Sequence, residues 1–567
     1  MNPFVEEIVD SLAAATGLDR QAVHGLVGVP PREEMGDYAF PCFVLAREQR
    51  RNPAELAREV ADRIGTVPGV ERVEAAGAYV NFRLDRPRFV QHVLTQVQEQ
   101  GDAYGSRQPG AGKTLVIDFS SPNLAKPFSI AHLRSTAIGH AVYRIHRHLG
   151  WRCVGVNHPG DWGTNFGQLL AAYRKWADPE KVRADPIPEL VALYTRFNQE
   201  TETHPELQDE ARHYVQLLES GDPETRALWS FFVEEGLKEA NRIYDILGVR
   251  FDLVMGESAF ADATDRVVDL FRQAGLAVES EGATVVMLDE RDIEAPCMLR
   301  TSRGTSTYHS RDIAALLYRH EKFAFDKMVY VTDVSQTLHF RQVFRALELA
   351  GQEWVSRCEH APFGLMSFKG GKMSTRRGNM VFLEDVLDQA VKLTGQIIVE
   401  KNPQLPGRDE VARQVGISAV VFADLDTRRT RNVVFDWQEV LNFDGETGPY
   451  LQYTHARFCS ILRRYGRPVD AAADLSGLAH EAEMRVARQL AAYPERLEQA
   501  CAESEPSIVS TYLVDLATVA NKFYNELPVL SAPDPALVQS RVVLVDCARR
   551  VLRSGLSLLG MQAPEEM

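Results

Sequence analysis

Three segments bring together residue types that could do chemistry. DFSSPNLAKPFSIAHLRST (118–136) sets hydroxyls, an amide, Lys126 and His132 between an apolar run and a helical period. A cation, an imidazole and free backbone N–H groups at a helix start suit phosphate oxygens. SFKGGKMSTRRGN (367–379) carries Gly370 and Gly371 beside Lys372, Arg376 and Arg377, the composition of a mobile loop that delivers positive charge. STYHSRDIAA (306–315) has Tyr308 and Asp312 four apart, which on a helix puts a phenol and a carboxylate on one face. GAGKT (110–114) is a decoy. The first glycine of a GxxxxGK[ST] phosphate loop would fall on Arg107, and the segment precedes a strand instead of following one.

These segments need elements to hold them. TLVIDF (114–119) has the pattern of a buried strand, and the polar loop after it leads into a helical period through Leu133, Ala137, Ala141, Ile145 and Leu149. RCVGVNH (152–158) is a second strand, so the order is βαβ, which requires a parallel sheet. Lys126 and His132 then stand at the carboxyl end of a parallel strand, where open α/β sheets bind ligands. Residues 175–250 are charged and helical and look like an insertion. Strand signals return at ATVVMLD (283–289) and KMVYVTD (327–333), the latter followed by a helix over 336–349. From about residue 385 the periodicity is helical, with Ile508, Tyr512, Leu516, Val519, Phe523 and Leu527 marking one clear face. The Gly-rich stretch 101–113 reads as a linker after an amino-terminal segment that mixes helical periods with strand-like runs such as AYVNFRL (78–84).

Composition narrows the class less than the motifs do. The 567 residues are too many for one core and imply several domains. The opening is acidic and helical rather than secretory, and no apolar run reaches the length of a membrane span. The expectation is a cytoplasmic protein without a membrane partner. Seven scattered cysteines with no CxxC pair speak against a structural zinc or a disulfide framework. The net charge of −15 argues at first against nucleic acid, but net charge governs solubility more than local sites. Basic clusters at 372–378 and 428–431, with Arg457, Arg463, Arg464 and Arg467, leave that question open.

The segment around Lys126 and His132 resembles the arginyl-tRNA synthetases of class I, whose HIGH signature is set in SSPNxAKPxHxGHLRS. Here the signature reads Ser129-Ile130-Ala131-His132: the second histidine is kept and the first is Ser129. NHPGDWGTNFGQL (157–169) resembles the family's NHxGDWGTQFG, with Asn165 in place of glutamine. KMSTR (372–376) resembles KMSKS, with Thr375 in place of the second lysine. Many members share that loss and carry a lysine just before HIGH, the position of Lys126. The resemblance implies an ATP site of Ser129, Ala131, His132, Gly163, His339, Lys372, Ser374 and Arg376. Within it Lys126, His132 and Lys372 neutralise the triphosphate, and Mg²⁺ arrives with ATP as the substrate complex. It implies an arginine pocket of Tyr308 and Asp312 with Asp118 as a second acidic position, and Ser121, Asn123 and Gln336 on the amino-acid head.

The resemblance extends to both ends of the chain. GETGPYLQYTHAR (445–457) and the ending GLSLLGMQAPEEM (555–567) are similar to the family's all-helical anticodon-binding domain of the DALR type. AGAYVNFRLD (76–85) is similar to the amino-terminal domain that reads the tRNA elbow. The implied tRNA contacts are Tyr79, Asn81, Tyr450, Tyr453 and Met567. The expected fold is multidomain α/β. An α+β domain covers 1–105, a Rossmann-type parallel-sheet domain 106–384 with its helical insertion, a connecting helical domain 385–444, and an all-α bundle 445–567. The implied activity joins arginine to tRNA(Arg) through an arginyl-adenylate, by a monomer whose first step requires bound tRNA. The rivals are another class I synthetase, a nucleotidyltransferase without tRNA, or an inactive relative that binds RNA or arginine.

Overall fold

The apolar runs from residue 114 onward form a five-stranded sheet in the computed structural model, which describes residues 3–288, 293, 295–369 and 381–567. Its strands are β1 (Thr114–Asp118), β2 (Arg152–Asn157), β3 (Leu253–Val254), β4 (Lys327–Tyr330) and β5 (Cys358–His360). All pair in parallel, in the order β5-β4-β1-β2-β3. The chain steps from β1 to β2 on one side and returns later to β4 on the other. This reversal opens a crevice beyond the carboxyl ends of β1 and β4, where Asp118 lies opposite Tyr330. Leu115, Val116 and Ile117 are buried, as a strand covered on both faces requires. Helix α1 (Ala131–His148) follows β1 and packs close to the sheet: a Cβ on Gly139 would lie 2.1 Å from the Phe119 Cβ, so only hydrogen fits there.

The insertion is helical, as its charge pattern predicts. Helices α2 (Thr164–Trp176), α3 (Pro186–Thr203), α4 (Leu207–Ser220) and α5 (Pro223–Leu247) share a core of Phe166, Leu169, Phe197 and Phe232. The α5 start combines Pro223 with an Asp222 cap that accepts the Thr225 N–H at 2.9 Å. The strand expected at 283–289 forms over Ala283–Val286, but in a separate antiparallel sheet with Ala277–Ser280 and Cys297–Arg300. Helices α6 (Tyr308–Phe323) and α7 (Thr337–Leu349) bring residues to the crevice from beyond that sheet. Strand β6 (Met366–Phe368) pairs with β7 (Val433–Phe435), and helices α8 (Leu383–Lys401) and α9 (Arg408–Leu425) lie between them in sequence.

The residues group into two units. The one just described holds Ser106–Ala456, Arg496–Val514 and Gly555–Met567. The other holds Met1–Gly105, Arg457–Glu495 and Asp515–Ser554. In the latter, Tyr79–Leu84 is the central strand of an antiparallel sheet between Tyr38–Pro41 and Val70–Ala76. Buried Asp37 joins the pieces of that unit: it accepts the Leu84 N–H at 2.8 Å and pairs with Arg488 at 2.5 Å. All seven cysteines are free thiols.

Candidate active site

The crevice residues are positioned by strand ends and helix starts. After Asp118 the backbone turns through Ser120 and Ser121, both with positive φ (67° and 43°), a conformation that side chains resist and that packing must hold. The hydrogen bonds supply that hold. Ser120 Oγ lies 2.7 Å from Thr136 Oγ1 and 2.8 Å from the Tyr244 hydroxyl, and its N–H donates to Ser135 Oγ. Ser121 Oγ donates to Asp118 Oδ1 at 2.6 Å and accepts the His158 N–H at 2.9 Å. Asp118 Oδ2 pairs with buried Arg319 at 2.8 Å. Both Asp118 oxygens are therefore committed inside the protein, so Asp118 acts on the crevice at one remove.

Asn123 bridges across to Gly160, and its amide Nδ2 would lie 3.2 Å from a Cβ built there. Lys126 is exposed, with its Nζ 6.0 Å from the centre of the Tyr194 ring. The helix α1 start has no side-chain cap of the usual kind. Instead the Ser129 N–H donates to His132 Nδ1 at 3.0 Å. Burial, reinforced by neighbouring Lys126, pushes the His132 imidazole down to about 4. A neutral ring that accepts at Nδ1 carries its proton on Nε2, where it can donate to a phosphate oxygen. Ala131 opens the helix; the Ile130, His132 and Leu133 N–H groups around it donate to the Val381, Ser129 and Ile130 carbonyls.

Helix α6 owes its start to a capping box: Thr307 Oγ1 accepts the Ser310 N–H and Ser310 Oγ accepts the Thr307 N–H. That cap sets Tyr308, 50% exposed, and Asp312 one turn apart at the crevice. His339, two residues into α7, approaches Asp312 with its Nε2 2.5 Å from Oδ2, and His158 Nε2 lies 3.6 Å from Oδ1. Burial would raise the Asp312 carboxyl, but the two imidazoles hold it well below the usual carboxylate range. His158 is raised against its own burial by Asp312, and its Nδ1 donates to the Met255 carbonyl at 2.7 Å. Gln336 is exposed just before α7, and Gly163 caps α2 with a φ of 84°.

One crevice residue escaped the sequence reading. Glu257 is buried, and its Oε2 accepts Arg311 Nε at 2.9 Å. Burial, only partly offset by Arg311, pushes its carboxyl up to about 6. Asp161 of the GDWG segment fixes its place, since its two oxygens accept the Ser258 N–H (2.8 Å) and hydroxyl (2.6 Å). Arg311 spans the gap to Tyr308, its guanidinium 5.1 Å from the ring centre.

Asp118, Ser121, Asn123, Lys126, Ser129, Ala131, His132, Gly163, Tyr308, Asp312, Gln336 and His339 thus all lie on segments at the carboxyl end of the sheet. Lys372, Ser374 and Arg376 lie outside the described residues. Just before them, Lys369 pairs with Asp436 at 2.6 Å; just after, the Val381 carbonyl accepts the Ile130 N–H. Tyr450 is half-buried, Tyr453 is 41% exposed, and the Met567 carbonyl accepts Asn402 Nδ2 at 3.4 Å. Tyr79 and Asn81 belong to the other unit: Tyr79 meets Phe43 edge-on at the surface, and Asn81 is 2% exposed with its Oδ1 unpaired.

A doubly wound parallel sheet with a histidine-bearing helix start at its switch point is the architecture of a class I aminoacyl-tRNA synthetase. Residues 90–437 match the family described as tRNA synthetases class I (R), catalytic domain. Residues 4–84 match the arginyl tRNA synthetase N-terminal domain, and 451–567 the DALR anticodon binding domain. An arginine–tRNA ligase of Clostridium perfringens is 44% identical over 561 residues, 99% of each chain. One from Clostridium botulinum is 44% identical over 560 residues, again 99% of each. The solved arginyl-tRNA synthetase of Thermus thermophilus superposes with a TM-score of 0.83 at 28% identity, covering 99% of both chains. That of Plasmodium falciparum, 21% identical, shares the fold with a TM-score of 0.84 over 100% of this chain and 99% of its own. The chain belongs to the arginyl-tRNA synthetase family.

Proposed function

We propose that the chain activates L-arginine with ATP and transfers it to the terminal adenosine of tRNA(Arg). In the first step an arginine carboxylate oxygen bonds to the α-phosphorus and the bond to pyrophosphate breaks. In the second, a ribose hydroxyl takes the arginyl group and AMP leaves. No residue needs to become covalently attached, so the protein acts by positioning and by meeting phosphate charge. His132 donates from Nε2 to the triphosphate, beside the Ser129 hydroxyl and the backbone at Ala131. Lys126 swings from the Tyr194 face to the same oxygens, joined by Lys372, Ser374 and Arg376. Gly163 and His339 border the nucleotide, and Mg²⁺ is carried in on ATP.

The observation that carries the choice of arginine is Asp312, a carboxylate held ionised one helical turn from Tyr308. A guanidinium has five donors in one plane and is matched by carboxylates flanking it. Glu257 supplies a second carboxylate beside Tyr308, while Asp118 works through Ser121 and Arg319. Ser121, Asn123 and Gln336 hold the amino-acid head. Tyr79, Tyr450, Tyr453 and Met567 face tRNA, whereas Asn81 is buried and offers no direct contact; the chain acts as a monomer in the cytoplasm. The domain limits near residues 105, 384 and 444 follow the same reading.

The deciding experiment is charging of bulk tRNA with each labelled amino acid. Arginine alone should be attached. Lys126→Ala should slow activation by about 10²–10³-fold with tRNA binding retained. Binding of tRNA without charging would instead mark an inactive relative.

A further inference from the structure

A groove of about 520 Å³ opens at the far end of α1 from His132. Its walls are the last turns of α1, the turn 248–252 that follows α5, and residues 557 and 558. Three guanidinium groups, Arg144, Arg147 and Arg250, line it against one carboxylate, Asp252. That carboxylate is already engaged: Oδ2 accepts the Tyr143 hydroxyl at 3.1 Å and the Gly155 N–H at 2.7 Å. Arg144 has no acidic partner among the described residues. Its Nε donates to His140 Nε2 at 3.0 Å and its Nη1 to the Ser557 carbonyl at 2.8 Å. Arg147 is exposed, and its guanidinium makes no hydrogen bond or ion pair among the described residues. Among the described residues the one ion pair of Arg250 is with exposed Asp245, a contact of small worth in water, and its Nη1 also donates to the Val249 carbonyl at 3.0 Å. Burial and, after it, neighbouring Arg147 pull the Arg144 guanidinium below its ordinary value.

In a chain of net charge −15, three guanidinium groups against one lining carboxylate form a local field opposed to the average surface. We infer that this groove holds phosphodiester groups of the tRNA backbone, with Arg147 and Arg250 as the direct contacts and Arg144 as the fixed positive wall. The inference rests on the tRNA-charging reading. Ser557 leads into the tail that Gln452 and His455 pin by the Gln562 and Pro564 carbonyls and that ends at Met567. The groove is thus joined within one unit to the segment proposed to meet tRNA. An open groove of this size also suits a strand better than a single small anion.

The test is the double variant Arg147→Glu with Arg250→Glu in the full chain, which leaves Arg144 and its Ser557 contact intact. Its KM for tRNA in charging should rise about tenfold, with the KM for arginine and for ATP unchanged. The plot of log(kcat/KM) against log salt should be shallower by roughly 0.7–0.9 per lost contact. An unchanged tRNA KM and salt slope would overturn the inference. So would loss of pyrophosphate binding in calorimetry with tRNA KM unaltered, which would assign the groove to a free anion. If the unaltered chain charged nothing, the functional reading would fail alone, because filter binding of tRNA to both forms still tests the groove.

Discussion

Asp312 sits between two imidazoles, and the three groups share one electrostatic account. His158 has the raised value, so its protonation stabilises the fold below the unfolded histidine value near 6.5. That contribution fades as pH climbs through the raised value. Asp312 has the lowered value, so its contribution is full above the ordinary carboxylate range and is lost only as pH falls through the depressed one. The pair therefore contributes most across the window between those limits. Replacing Asp312 with Asn should let burial dominate His158, so its imidazole NMR titration should drop from above 6.5 to below it. The same variant removes the proposed charged partner of the substrate guanidinium, and the arginine KM should rise about 10–100-fold. An unmoved His158 titration would sink the pairing, and an unmoved KM would sink the pocket. Tyr308 with Asp312 was legible because their spacing is local. Glu257 was not: its place is set by the bonds of Asp161 to the next residue, Ser258, 97 residues from Asp161 in sequence, and no local period marks that contact.

The same contrast holds for elements. β1, β2 and β4 declared themselves as apolar runs, whereas β3 has two residues and β5 three, too few for any periodicity to show. The strand at Ala283–Val286 was visible as a strand, yet its partners decide whether it joins the parallel sheet, and those partners are Ala277–Ser280 and Cys297–Arg300. A buried tie between elements was likewise invisible. Arg134, two residues past His132 and 1% exposed, donates Nε to Asp424 on α9 at 2.6 Å. Its Nη1 donates to the Gly364 and Arg431 carbonyls at 2.7 and 2.8 Å, the backbone just ahead of β6 and β7. One guanidinium thus ties α1 to the segments that lead into both strands of the β6–β7 pair. Breaking a buried pair by removing one partner costs about 3–5 kcal/mol, because the other charge is left without solvent or partner. Arg134→Met should lower stability by about that amount in urea unfolding. Asp424→Asn, which keeps an acceptor for Nε, should cost less. Equal and small losses would mean that the tie contributes little.

For the whole molecule, composition was nearly silent, and the two units interleave along the chain. Residues 457–495 and 515–554 group with the amino-terminal segment, while 496–514 and 555–567 group with the catalytic sheet. A boundary drawn along the sequence cannot express such an arrangement. Function at this scale depends on tRNA. The family resemblance implies that arginine activation waits for tRNA, and the positive groups proposed to meet the triphosphate include Lys126, whose Nζ rests 6.0 Å from the Tyr194 ring centre. A cation–π contact at a partly exposed site is worth only about 0.5–1 kcal/mol, so a modest rearrangement on tRNA binding suffices to free that lysine. Exchange of labelled pyrophosphate into ATP reads the first step alone. With arginine and ATP but no tRNA, exchange should be negligible; with tRNA added, it should approach the rate of charging. Raising salt should weaken the tRNA-dependent rate through the tRNA KM, because counterion release drives that binding. Robust exchange without tRNA would show that the active site assembles by itself and would remove the need for Lys126 to move.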